Sequence, residues 1–409
     1  MDVLVIDNGL STEFARHLGE SGLFNKVGYF SSWQSDFVAT RERAVGTGFD
    51  EFERIYSVSE DMLAMYDAFI FPDLYWKDLA IYLRDAGCPV WSAFEMEDLE
   101  LDRLALLHLQ AELGLKRPNC KVVEGVDDAL RVANDGDFIK ITGYARGDGE
   151  TARHDARNPT WATRLRERLG PLAHSIPIIV QEPIEDDHEV GFDALIIKGR
   201  CAYPFLIGYE AKDSGYLAKV VNEMPAPLMR EGTVLLDYLE GSDYTNFLST
   251  EYRGGTLIDI TTRNPSPPGD LHLILWANLR KVVRDALTAT PPTDVKLVPQ
   301  RKYAVELIVH NNEPSEFVYF DIPPAYRNFV GVRRAFKKNG LVWAAPTRDD
   351  TLAEIAGFSG YGDTPDEAIE MVKEVKKAVK MSSSCSVDDS ALRDLLETAE
   401  RGEKEGIPF

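Results

Sequence analysis

Basic charge is scarce in this chain of 409 residues: 45 lysines and arginines face 67 aspartates and glutamates, leaving a net charge of −22. So acidic a surface repels a phosphate backbone or an anionic bilayer, which excludes general nucleic-acid affinity. Cysteine is scarce too. Cys88, Cys120, Cys201 and Cys385 lie far apart with no CxxC pair, so a thiolate metal site is not expected and free thiols in a reducing compartment fit best. No apolar run is long enough to cross a bilayer, and the opening DVLVID reads as a strand rather than a secretory signal. A soluble, cytoplasmic protein is therefore expected. A Walker A loop is missing as well, because no glycine-rich turn ends in Gly-Lys-Ser/Thr.

What the chain does contain is alternation. Val3–Ile6 predicts a buried parallel strand, Asn8-Gly9 a turn, and Ser11 or Thr12 the cap of a helix with Phe14 and Leu18 on one face. A strand at Asp67–Phe71, a helix from Trp76 to Ala86 and a strand from Pro89 to Phe94 follow. These imply a doubly wound parallel sheet of about a hundred residues. Ligands of such sheets lie beyond the carboxyl ends of the strands, which singles out Asp7, Asn8 and Asp73, although turn chemistry also accounts for each. A helix from Leu101 to Leu113 stops at Gly114.

The stretch Asp137–Thr151, DFIKITGYARGDGET, is the most informative. It is a short apolar run carrying Lys140, followed by Gly143, Gly147 and Gly149. A lysine near a buried strand's end, beside backbone N–H groups free to close on an anion, suits nucleotide phosphates. A hairpin with a permissive turn is the competing reading. Against the acidic background, Lys140, Arg146 and Arg263 are the cations that could hold an anionic ligand, unless they are solvated surface charges.

Further on, Ile176–Val180 is a predicted strand ending in Gln181-Glu182-Pro183, and an acidic turn separates Glu182 from Glu189. If the turn reverses the chain, both carboxylates approach one ligand, where one could hold ribose hydroxyls. An acidic hairpin tip facing water is the alternative. In LIDITTR, Asp259, Thr261 and Arg263 alternate to one strand face, a combination able to hold magnesium and phosphate together. A half-exposed strand with one salt bridge would look the same. A long helix is expected from Asp270 to Leu287, linkers at Ala289–Pro292 and at 382–386, strands at 303–310, 317–321 and 341–345, and a Thr364-capped helix with Glu367 completing the capping box. An acidic helix ends the chain.

In this order the pieces resemble the ATP-grasp superfamily, in the domain arrangement of the phosphoribosylamine–glycine ligases, over residues 1 to 380. KITGYARGDG is similar to that family's lysine and phosphate loop, IIVQEPIEDDHEVGFDAL to its hinge, LIDITTRNPSPPG to its metal strand, and GLVWAAP with GYGDTPDEAI to its terminal domain. The resemblance implies an N-terminal α/β domain over 1–98, an ATP-grasp domain over 99–288 with a lid at about 118–180, a C-terminal α+β domain over 295–381 and a tail helix over 382–409. It places Lys140 on the ATP phosphates under Gly143, Gly147 and Gly149. Arg103 takes the place of an earlier family lysine, Gln181 and Glu182 lie at the adenine hinge, and Glu189 at the ribose. Asp259 and Thr261 stand for the metal ligands and Arg263 for the arginine beside the transferring phosphate. ATP with Mg²⁺ or Mn²⁺ and small carboxylate and amine substrates are the implied ligands, and an oligomer is compatible with the pattern.

The departures are as informative. The family's first phosphate-binding turn is replaced by DNGLSTEF, its second is reduced to FPDLYW, and Asp259 and Thr261 are shorter or weaker donors than glutamate and asparagine. The implied activity is ATP-dependent carboxylate–amine ligation through an acyl phosphate, and a non-catalytic relative that binds nucleotide or a partner is the alternative. A dinucleotide-dependent oxidoreductase would need a glycine-rich first turn, and DNGLS is not one.

Overall fold

The computed structural model describes residues 1–32, 43–142, 151–185, 189–288, 290–292, 294–346, 353–407 and 409. The chain divides into a large unit of Met1–Glu95, Val190–Ser249 and Thr261–Phe409 and a small unit of Met96–Glu189 and Thr250–Ile260.

In the large unit, the first hundred residues build a five-stranded parallel sheet in the order Glu53–Ile55, Lys26–Ser31, Asp2–Asp7, Ala68–Ile70, Val90–Trp91. Val3, Leu4, Val5 and Ile6 are all buried, as a central parallel strand covered on both faces requires. The expected helix spans Thr12–Gly19 and buries Phe14 and Leu18. Neither Ser11 nor Thr12 caps it through its side chain; instead the Asp7 carboxylate accepts the Ser11 N–H at 2.9 Å. The strand Lys26–Ser31 escaped sequence reading because Gly28 weakens its pattern. Packing explains that glycine, since a Cβ there would overlap the Tyr66 hydroxyl.

The rest of the large unit is organised by an antiparallel sheet ordered Val190–Ile197, Phe205–Ala211, Gly215–Val221, Tyr303–Asn311, Ala353–Gly362, Val330–Val332. Helix Pro365–Ala378 packs on it, capped as expected: Thr364 accepts the Glu367 N–H at 3.2 Å and Glu367 accepts the Asp363 N–H at 2.7 Å. Two expectations need correction. The long helix from Asp270 to Leu287 is two helices, Gly269–Leu275 and Leu279–Ala286. Between them Ala277 N–H turns to the Val298 carbonyl, while the Asn278 side chain bonds Val298 and Lys296, each at 2.8 Å. Nor is 382–386 a free linker, because Cys385–Val387 pairs antiparallel with Val309–Asn311. Ala289, in the other expected linker, lies outside the described residues.

The small unit is a four-stranded antiparallel sheet in the order Cys120–Glu124, Pro177–Gln181, Phe138–Ile141, Thr151–Arg153. Helices Gly125–Val132 and Thr160–Leu169 cover it. Val126, Ile139, Ile141, Trp161, Leu165 and Ile178 form its core. Helix Arg103–Glu112 and the hairpin residues Thr250–Ile260 complete the unit.

Candidate functional site

Strand alternation puts Ile139 and Ile141 into the small unit's core and Lys140 on the opposite face. Only 9% of Lys140 is exposed. Its side chain is brought beside a second cation by a polar clamp. Asp102 caps helix Arg103–Glu112 by accepting the Leu104 N–H at 2.9 Å, and the same carboxylate oxygen accepts the Thr142 hydroxyl at 2.7 Å. The first residue of that helix, Arg103, is thereby held near the lysine strand. Burial, and then Arg103, push Lys140 down to about 8, against the opposing pull of Asp259, Glu251 and Glu189.

Those three carboxylates come from different segments of the same unit. Asp259, on strand Thr256–Thr261, sits 3.6 Å from Arg103 and accepts the Ile260 N–H at 3.0 Å. Glu251 lies across the Gly254-Gly255 turn from it; both glycines have positive φ, which a tight hairpin needs. Glu189 is paired with Arg253 at 2.5 Å. Neither Glu251 nor Arg253 was singled out from the sequence. The signal was there, because a Gly-Gly hairpin brings Glu251 back along the strand that carries Asp259.

Of the predicted residues, Arg103, Lys140, Gln181, Glu182, Glu189 and Asp259 belong to this unit. Gln181 ends strand Pro177–Gln181, buried between Cys120 and Phe138 of its two neighbours. Glu182 is exposed and its N–H bonds the Asn119 carbonyl at 2.9 Å. Gly143, Arg146, Gly147 and Gly149 lie outside the described residues. Thr261 and Arg263 fall in the large unit. Arg263 also lies two residues past the end of strand Thr256–Thr261, so the expected face of Asp259, Thr261 and Arg263 on one strand is not formed. Instead Arg263 stands 3.8 Å from Asp73, at the end of the parallel sheet.

At that sheet's carboxyl end, Asp7 is completely buried. One oxygen accepts the Asn8 N–H at 2.7 Å; the other accepts the Ser11 N–H at 2.9 Å and the Tyr29 hydroxyl at 2.7 Å. Burial, and then the Asp73 charge, raise Asp7 to about 6 in spite of these bonds. Asp73 likewise accepts its neighbour's N–H, from Leu74 at 2.8 Å. The turn thus wraps a carboxylate of its own. Its amides at Asn8 and Ser11, which could otherwise have cradled an anion, are spent.

No protein-family model and no curated protein matches the chain. Solved structures do. Phosphoribosylamine–glycine ligase from Thermotoga maritima is similar at a TM-score of 0.68 and 14% identity, covering 94% of this chain and 98% of that one. The biotin carboxylase domain of 2-oxoglutarate carboxylase from Hydrogenobacter thermophilus, solved with MgADP, ADP and bicarbonate, gives a TM-score of 0.66 at 11% identity, covering 93% and 90%. L-amino acid ligase from Bacillus licheniformis gives 0.62 at 15%, covering 93% and 98%. The fold is the ATP-grasp fold these enzymes share. No helix among the described residues is long and apolar enough to cross a membrane.

Proposed function

We propose that the protein is an ATP-dependent carboxylate–amine ligase whose nucleotide site is built on the small unit. The observation that carries this reading is the pairing of a buried, destabilised Lys140 with Arg103, faced by Asp259, Glu251 and Glu189. A buried lysine whose charge is opposed by burial and by a neighbouring guanidinium is one that a polyphosphate would stabilise. The ligases and the carboxylase of the same fold support it: one is an amino-acid ligase, and another was solved with MgADP.

In this reading Lys140 and Arg103 bind the phosphate oxygens, and the end of strand Pro177–Gln181, with Gln181 and Glu182, receives the adenine. Glu189 exchanges Arg253 for the ribose hydroxyls. The carboxylates Asp259 and Glu251 are hard oxygen donors that fit Mg²⁺, which when bound neutralises phosphate charge. The γ-phosphoryl group passes from ATP to the substrate carboxylate, leaving ADP and an acyl phosphate. The amine nitrogen then attacks the acyl carbon, phosphate leaves with its bonding electron pair, and the amine's proton passes to solvent. Residues 118–180 act as a lid that keeps water from the acyl phosphate.

The amine is one without a phosphate ester. A phosphate monoester carries close to two negative charges and needs free amides or basic side chains, and the first turn of the parallel sheet spends its amides on Asp7. The decisive experiment is ADP release across a panel of acids and amines, with and without magnesium, beside a thermal-shift series with ATP, ADP and NAD. Magnesium-dependent ADP release that requires both an acid and an amine supports the ligase. Stabilisation by NAD alone would overturn it, and ATP binding with no turnover over a broad panel would favour a nucleotide-binding relative without catalysis.

A further inference from the structure

A cavity of about 220 Å³ lies within the large unit, lined by helix Thr12–Gly19, by the helices Gly269–Leu275 and Leu279–Ala286, and by residues 328–331. That volume exceeds what one or two waters require. Its wall mixes apolar side chains, among them Leu273, Trp276 and Phe329, with polar and charged ones.

The cations of the wall, Arg16 and Arg280, and Arg327 behind it are already paired. Arg16 donates to Glu13 at 2.6 Å and to Asn328 at 2.8 Å, and it pairs with Glu20. Arg327 meets Glu13 at 2.7 Å. Arg280 pairs with Glu20 at 3.0 Å and donates to the His17 ring at 3.2 Å. Burial, Arg280 and Arg16 push His17 down to about 3, so it is a neutral acceptor.

Asp270 is the exception. No described residue hydrogen-bonds its carboxyl group or pairs with it closely. It meets a second acid, Glu306, over two glycines that face each other in register, Gly331 and Gly357. A Cβ at Gly331 would overlap the Asp270 carboxylate, and one at Gly357 would overlap Glu306 Oε1 and stand 3.1 Å from Asp270 Oδ2. Neither glycine has a positive φ, so both are there for room. Glu306 is completely buried, its only close cation among the described residues being Arg333 at 3.5 Å, which also lies 3.9 Å from Glu354.

We propose that this cavity binds a compact alkylamine as its ammonium ion, with Asp270 as the counter-ion and the Leu273, Trp276 and Phe329 wall against the alkyl body. The charge balance supports it. Around Asp270 stand Glu13 and Arg16 from the first helix, Arg327 and Arg333 from the segments flanking Val330–Val332, Glu306 from its strand and Glu354 from strand Ala353–Gly362. Burial raises Asp270 to about 6 and raises Glu306 well above the usual carboxylate range, so near neutral pH the two acids hold a proton between them. An arriving cation lets both ionise and expels that proton, whereas an anion would require more protons. The site needs no nucleotide, so it stands or falls apart from the ligase reading.

The test uses three isosteric probes on the full chain: n-butylamine, n-butanol and butyrate, followed by calorimetry and thermal shift at pH 6.5. Butylamine is expected to bind at least tenfold more tightly than the other two, and Asp270→Asn to lose that preference while keeping its circular dichroism. Equal binding of the three probes, no binding of butylamine at millimolar concentration, or an unchanged preference in the variant would overturn the proposal. Should the variant fail to fold, the unsubstituted protein decides: binding enthalpies in two buffers of different ionisation enthalpy must differ in the sense of proton release, and identical enthalpies refute the site.

Discussion

The strand ends at Asp7 and Lys140 each carry a buried charge near the start of a loop, yet their surroundings differ in kind. Asp7 receives two backbone N–H groups and a tyrosine hydroxyl from its own unit. Lys140 sits beside another cation and is reached by Asp259, Glu251 and Glu189 only as the lesser influences on its pKa. Each has a like charge nearby, Asp73 for Asp7 and Arg103 for Lys140, but of the two Asp7 is the one held by hydrogen bonds that arrive with the fold; it is an anchor, whereas Lys140 is a group that a ligand would complete. Burial and a place near a strand's end are shared, so the partners tell the two roles apart.

The largest effect that would sharpen this contrast is expected from Lys140→Ala. ADP release should fall about 10²- to 10³-fold, the cost of one preorganised charge donor, while thermal stability at pH 7 holds or rises. Unchanged turnover would make Lys140 structural. Asp7→Ala should behave in the opposite way. Leaving two amides and the Tyr29 hydroxyl without their acceptor is expected to cost about 3 kcal/mol of unfolding free energy, measured by denaturant titration. A variant of unaltered stability would break the comparison.

The pH response provides a smaller arm. Asp7 is raised in the fold from 3.8 to about 6, so between those values the native state holds more proton than the unfolded chain. Its contribution is therefore fully present below 3.8 and lost as pH rises through 6. Asp7→Asn should remove a fall on the order of 2 kcal/mol across pH 4 to 6, visible as a flatter profile of melting temperature against pH. Parallel profiles would refute it. Lys140 runs the other way: its depressed value means that stability rises with pH above about 8. The smallest effect is expected at Asp259→Asn, about a tenfold loss of magnesium-dependent turnover, or about 1.4 kcal/mol. Metal-free nucleotide binding should barely change, and an equal loss in both assays would show that Asp259 acts only by positioning Arg103.

Much of the local structure was legible. The strand at Val3–Ile6, the lysine strand Phe138–Ile141 and the cap at Thr364 follow from period-two burial and side-chain capping, which depend on neighbours a few residues away. The break at Trp276–Asn278 was not legible, because the carbonyls and amides that interrupt the helix belong to residues 296–298. Strand Cys385–Val387 was hidden for a similar reason, since SSSCS becomes a strand only by pairing with Val309–Asn311.

By itself, the sequence determined the alternation of strands and helices, the scarcity of cations and the lysine strand with its glycine-rich loop, because periodicity, composition and glycine content are local properties. Only the tertiary structure decided that the first turn binds its own aspartate, that Arg253 holds Glu189, and that Asp270 and Glu306 share the space over two facing glycines. These depend on which distant segments the fold brings within hydrogen-bond reach, and on the burial that makes an uncompensated charge costly.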